Sequence, residues 1–273
     1  MRQTKRKHPV SLCIGAPKAG TTWLFDNLRN HPDIWTLPYK SVQYFSGLAD
    51  KARKKKWRRQ KNEIRRNINL HNLLWHLDYF VNPYINNFWY KRMFIPAGSR
   101  VSIDISPSYS TLTEQQIWQV KNINPDVKVI FFLRNPVDRV WSHTKLNFLS
   151  NKGLELSDIS NNQLIDYFNS KGQEDRTDYI QIIDRWQSII GETRFLLRFY
   201  DEIADRPFFL LEDICDFLNV SYSKEYFRES AHRNIFKGVD QEIPSVCLNY
   251  LNTKYADVIK NIRERYNSYS ISW

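Results

Sequence analysis

The chain is poor in cysteine and glycine, with three and eight among 273 residues. Cys13, Cys215 and Cys247 stand far apart and are odd in number. That pattern argues against a disulfide framework and a cysteine-rich zinc site, and it fits a reducing compartment. Eight glycines and eleven prolines leave no room for collagen-like or low-complexity structure. No apolar run approaches the roughly 20 residues of a membrane span. The basic start MRQTKRKHPVSLCIG lacks an apolar signal core of secretory length. These absences lead to the expectation of a cytoplasmic protein. What is present is a 42% hydrophobic chain long enough for one α/β domain.

The net charge of +11 is local. Segment 51–66, KARKKKWRRQKNEIRR, carries ten basic residues against Glu63, and Arg2, Lys5, Arg6 and Lys7 add four more at the start. The remainder is close to neutral. Such a run is either a solvated helix or a surface that attracts a polyanionic substrate, nucleic acid or acidic lipid. Trp57 is its only aromatic, so nucleic-acid binding through stacked bases is poorly supported.

Hydrophobic periodicity predicts strands at 9–15, 101–106, 127–133 and 194–200. It predicts helices at 21–30, 113–122, 136 to about 150, 178–190, 208–218 and 245–266. Residues 39–46 are a predicted loop. VKVIFFL, residues 127–133, is the clearest buried strand. Alternating strands and helices predict a three-layer, P-loop-like α/β fold with a central, mainly parallel sheet flanked by helices. Residues 1–8 read as a basic tail and 9–273 as one domain. A basic, aromatic insertion at about 47–98 is expected to be helical in pieces. Ligands of such sheets bind beyond the carboxyl ends of the strands.

Two segments fall at that edge. GAPKAGTT, residues 15–22, follows the first strand and opens the first helix. Its amides and the Thr21 and Thr22 hydroxyls suit an anion, and Lys18 adds a full charge. The Lys-Ser or Lys-Thr pair that grips a metal-bound triphosphate is missing at positions 21 and 22. FFLRNPVDRVWSH places Arg134 at the end of the strongest strand and Ser142 about two helical turns on, where both would clamp a second phosphate. Arg139 is expected to be structural, or paired with Asp138 or another acid.

Lys18-Ala19-Gly20-Thr21-Thr22-Trp23-Leu24 and Arg134-Asn135-Pro136 through Ser142 resemble the two signature motifs of the sulfotransferases, which use 3′-phosphoadenosine 5′-phosphosulfate (PAPS). HPDIWTLPYKSVQYFS, DISPSYS, and FYDEIADRP with FLLEDICDFLNV also resemble family segments, the DISPSYS stretch that of the glycan-type and bacterial members. The resemblance implies metal-free transfer of a sulfuryl group to a hydroxyl, or less readily an amine, of a carbohydrate-like or small-molecule acceptor, possibly anionic. It implies a cofactor site of Pro17, Lys18, Ala19, Gly20, Thr21, Thr22 and Trp23, with Lys18 on the bridging and sulfate oxygens. Arg134 and Ser142 would take the 3′-phosphate, and Lys237 with Gly238 would form a late loop over the cofactor.

The acceptor must also lose a proton. Glycan-type relatives commonly carry Lys-Glu-x-x-Phe-Phe where this chain has Lys40-Ser41-Val42-Gln43-Tyr44-Phe45, so their glutamate base is replaced by Ser41. Asp104 and His143 remain as base candidates; Asp104 is otherwise a buried carboxylate that orients Lys18 or caps a turn. His71 and His76 fall on different helix faces, and no metal site is expected. Two rival readings stay open: a P-loop kinase, and a PAPS-, product- or polyanion-binding protein that has lost turnover.

Overall fold

The computed structural model describes residues 11–68, 72–233, 239–266 and 273. The chain opens with strand β1 (Ser11–Gly15), helix α1 (Thr21–Leu28) and strand β2 (Ile34–Thr36). Helices α2 (Ala49–Asn67), α3 (Leu73–Phe80) and α4 (Asn87–Arg92) fill the insertion. Strand β3 (Val101–Ile105), helix α5 (Glu114–Ile123), strand β4 (Lys128–Leu133) and helix α6 (Pro136–Thr144) follow. A π-helical stretch over Lys145–Ser150 extends α6. Helices α7 (Asn161–Phe168), α8 (Lys171–Thr177) and α9 (Tyr179–Ile190) lead to strand β5 (Phe195–Phe199). Helices α10 (Glu202–Asp205), α11 (Pro207–Leu218) and α12 (Ser245–Arg265) complete the chain.

The described strands form one sheet in the order β2-β3-β1-β4-β5. Every pairing in it is parallel. The predicted α/β class therefore holds, and the sheet is wholly rather than mainly parallel. β1, β3 and β4 are buried on both faces, and in β4 this leaves the unbroken apolar run VIFFL. β2 is a three-residue edge strand that periodicity did not single out, since IWT is too short to show alternation. Helices α7 and α8 were also missed; they are short, polar segments around a few buried side chains.

Two apolar clusters hold the layers together. The larger surrounds the sheet, and the smaller joins Val140 and Trp141 of α6, Leu164 and Phe168 of α7, and Leu251 and Tyr255 of α12. Arg139 is fully buried between them. It donates to Gln173 Oε1 at 3.0 Å and Thr177 Oγ1 at 2.5 Å, so of the two expectations the structural role holds, with neutral partners in place of an acid.

The order of the strands places β1 and β4 side by side at the centre, so the loops after them share one edge. The β1–α1 loop turns sharply there, with Lys18 at φ 71° and Gly20 at φ 83°. The backbone conformation favours glycine at position 20, and a Cβ there would also push Ile203 Cδ1 aside and lie 3.2 Å from Tyr200 Cδ2. Gly20→Ala is expected to destabilise the protein by about 1–3 kcal/mol in urea denaturation.

Candidate active site

The site grows from the two central strand ends. Gly20 caps α1, whose first turn contains no acidic residue. The amides of that turn have no intrahelical acceptor and face the loop with partial positive charge. Thr21 is buried, while Pro17, Lys18, Gly20 and Thr22 are half-buried. Ala19 and Trp23 are buried, and the Trp23 indole donates to the Ala231 carbonyl at 2.8 Å. The Trp23 side chain is thus committed to packing, and what it offers a ligand is its main-chain amide.

Arg134 leaves the end of β4 and donates through Nη1 to the Lys18 carbonyl at 3.0 Å. Its guanidinium lies 4.3 Å from the Tyr200 ring centre, and its buried Nε has no hydrogen-bond partner among the described residues. An orphan guanidinium N–H at this depth is costly unless an anion or water takes it. Lys18 feels Arg134 and Lys145; burial first, and these cations second, lower its pKa. Ser142 is half-buried on α6 beside His143. Lys237 and Gly238 lie outside the described residues.

Lys40 is a member of this group that the sequence reading passed over. Its ammonium donates to Thr21 Oγ1 at 2.8 Å and Thr22 Oγ1 at 2.9 Å. Burial lowers its pKa to about 8, with Lys18 adding to the fall and Cys13 opposing it. The only sequence signal was its place in KSVQYF, directly before the replaced glutamate. Lys56, from the basic run, is also turned inward: it donates to the Lys40 carbonyl at 2.5 Å, and burial and Lys40 lower its pKa to about 8.

Asp104 sits in β3 and is fully buried. Its carboxylate accepts from Ser106 Oγ at 2.7 Å, and from Tyr90 Oη and Tyr109 Oη at 2.9 Å each. Burial raises its pKa, and these three donors and Lys56 oppose the rise. The network continues to the loop that carries Lys40. The Gln43 amide donates to Ser106 Oγ, the Tyr44 amide to Tyr109 Oη, and the Ser41 amide to the Ile105 carbonyl. Ser41 is fixed in the left-handed region at φ 67°.

His143 is half-buried and hydrogen-bonded through Nδ1 to Gln173 Nε2 at 3.0 Å and Tyr167 Oη at 3.2 Å. Arg139 occupies Gln173 Oε1, which turns the amide nitrogen of Gln173 toward His143. Nδ1 is therefore an acceptor, and the neutral ring carries its proton on Nε2. Burial, Arg139 and Arg176 lower the His143 pKa to about 4.

The sulfotransferase family model matches residues 9–224. The chain belongs to the sulfotransferase family. No curated protein sequence matches it. Among solved structures, a sulfotransferase from Alicyclobacillus acidocaldarius is similar at 19% identity and a TM-score of 0.65, covering 95% of this chain and 96% of that one. The sulfotransferase domain of the Synechococcus PCC 7002 olefin synthase is similar at 17% identity and TM-score 0.58, covering 93% and 96%. A mouse sulfotransferase complexed with PAP is similar at 14% identity and TM-score 0.54, covering 97% and 90%. At these identities the structures establish a shared fold. Among the described residues, no helix is long and apolar enough to cross a membrane.

The buried cations have a measurable cost. Lys40 has a pKa of about 8 in the fold and the ordinary 10.5 when unfolded. The unfolded chain therefore holds more protons between those values, and stability contributed by this group rises as pH increases through that window. Lys40→Met is expected to stabilise the ligand-free protein by about 1–3 kcal/mol at pH 7. The gain should shrink toward pH 10.5 in thermal melts across the range.

Proposed function

We propose that the protein transfers a sulfuryl group from PAPS to a hydroxyl of a carbohydrate-like or small-molecule acceptor. The observation that carries this reading is the convergence of Lys18, Lys40 and Arg134 on the first turn of α1 and the end of β4. Lys40 and Arg134 are held there by hydroxyls, a carbonyl and a ring. The orphan Arg134 Nε adds a buried donor suited to a phosphate oxygen. When bound, the donor would supply an activated sulfuryl group joined to a phosphate leaving group.

The chain's own part is positioning and charge. Lys18 meets negative charge that builds on the leaving phosphate, and the α1 amides with Thr21 and Thr22 hold the 5′-phosphate. Lys40 orients the two threonine hydroxyls, so that their lone pairs face its ammonium and their protons are left for the ligand. Arg134 and Ser142 take the 3′-phosphate. Pro17, Ala19 and Gly20 shape the loop, and Lys237 and Gly238 remain candidates for a covering loop.

For proton removal, the geometry supports Asp104 as a buried positioning residue, acting on the turn after β3 and the loop of Lys40 and not on Lys18. A carboxylate that accepts three internal donors is poorly placed to take an acceptor's proton. His143 is neutral near pH 7, but its Nδ1 lone pair is engaged, so the ring is better suited to donate through Nε2. With Ser41 in place of a glutamate, the reading favours, of the two acceptor classes, a small molecule with a phenol-type hydroxyl over a sugar hydroxyl, which would need a base.

Calorimetric titration with adenosine 3′,5′-bisphosphate tests the donor site. Wild type is expected to bind, with affinity falling at least tenfold in Lys18→Ala and Arg134→Ala. No binding by a folded wild type would overturn the reading and revive ATP with Mg²⁺ or a polyanion as ligand. If an acceptor turns over, Lys18→Ala should lower kcat by about 10²–10³. Transfer to no member of a broad acceptor panel, with binding intact, would favour the non-catalytic rival.

The same titration should depend on pH. An anionic ligand prefers protonated Lys40, so affinity should decline as pH rises through about 8. The decline should be weaker in Lys40→Met, measured at matched ionic strength.

A further inference from the structure

Helices α2 and α3 border a groove of about 680 Å³ that no part of the proposed reaction uses. Trp57, Leu73, Leu77, Phe80 and Val81 line it, and Arg53, Lys54 and Arg58 line its α2 side. Large apolar side chains of α3, α4 and the segment between them are exposed. Leu74 is 75% exposed and Val81 68%, and Tyr84 and Phe88 are exposed to 74% and 68%. Leu74, Leu77 and Val81 are spaced as one stripe along the helix and its first following residue. Large side chains standing together in water mark a surface meant to be covered.

Charge decides what covers it. Lys51, Lys54, Lys55, Arg58, Lys61 and Arg65 are all exposed along α2. Two acids of α2 and α3 are already engaged: Asp50 pairs with Arg53 and Lys54, and Asp78 with Arg92. A second copy meeting this face about a two-fold axis would set these exposed cations of α2 against themselves. An anionic bilayer satisfies both features, since its headgroups attract clustered Lys and Arg while its acyl region takes the apolar stripe.

We propose that the α2–α3 face docks on a membrane surface carrying anionic lipid, with Leu74, Leu77 and Val81 entering the acyl boundary and Lys54 and Arg58 meeting lipid phosphates. The surface adjoins the site. His76, in the groove wall, is hydrogen-bonded to Tyr39 Oη at 3.0 Å, and Tyr39 directly precedes Lys40. Docking would present acceptors held at the membrane to that side of the molecule. The docking itself does not depend on the sulfotransferase chemistry.

Co-sedimentation of the full chain with phosphatidylcholine vesicles, with and without phosphatidylglycerol, tests the proposal at low and high salt. The expected result is binding only to the anionic vesicles, weakened by salt. Binding should fall about tenfold or more in Lys54→Glu/Arg58→Glu and comparably in Leu74→Asp/Val81→Asp. Unchanged thermal melts and unchanged adenosine 3′,5′-bisphosphate affinity would show that both variants keep the fold and the donor site. Absence of wild-type binding to anionic vesicles overturns the proposal. So does binding that the apolar variant leaves intact, which would be electrostatic adsorption alone. Concentration-dependent dimerisation that Leu74→Asp/Val81→Asp abolishes, without vesicle binding, would assign the face to a second copy and equally overturn it.

Discussion

The geometry of the site depends on one buried carboxylate. Asp104 gathers Tyr90 from the insertion and Ser106 and Tyr109 from the segment after β3. Two of those hydroxyls then accept amides of the loop that carries Lys40. A charged group at this depth is tolerable only because several donors meet it, and the same donors make it directional. The result is a short chain of hydrogen bonds from the interior of the sheet to the backbone of the loop whose Lys40 holds Thr21 and Thr22. Tyr44 stacks on Tyr90 with ring centres 4.6 Å apart, so aromatic packing fixes the loop from its other side.

That rigidity permits an arrangement that opposes folding. Lys18, Lys40 and Arg134 are crowded at one edge, and two lysines, Lys40 and Lys56, are held near a pKa of 8 by burial, with Lys18 adding to the fall at Lys40 and Lys40 to that at Lys56. Like charges brought together out of water destabilise the ligand-free state. The same cost becomes attraction when a multiply charged anion arrives, because the donors are already oriented and little reorganisation remains. Glycine at position 20 serves the same end, letting the loop close tightly under Tyr200 and Ile203.

The class of fold was legible because β4 is buried on both faces and leaves an uninterrupted apolar run, while the short segments of β1 and β3 alternate in sequence with helical periods. The two phosphate-type loops were legible because their glycine, threonines and arginine sit next to those strands. Lys40 was not: nothing in KSVQYF shows that a loop will fold back 18 or 19 residues onto Thr21 and Thr22. The role of Asp104 was equally hidden. Its position at a strand end suggested reactivity, whereas the three hydroxyls that seal it come from positions up to 14 residues away. β2 escaped because a three-residue edge strand lacks a period to detect.

The basic run illustrates why charge counts alone mislead. Read as a list, segment 51–66 is a uniform cationic surface. Folded, it divides by helix face. Arg53 is buried, donating to the Tyr79 and Asn82 carbonyls and pairing with Asp50, and it fastens α2 to α3. Lys56 reaches the Lys40 carbonyl and belongs to the site, and Trp57 packs against Phe80. The exposed lysines and arginines occupy the remaining faces. One helix therefore carries three functions separated by its periodicity: fastening the insertion, supporting the cationic site, and presenting charge beside an open apolar groove. Substituting the run as a block would disturb all three together. Only single-face changes, guided by the 3.6-residue repeat, can separate attraction at the surface from support of the site.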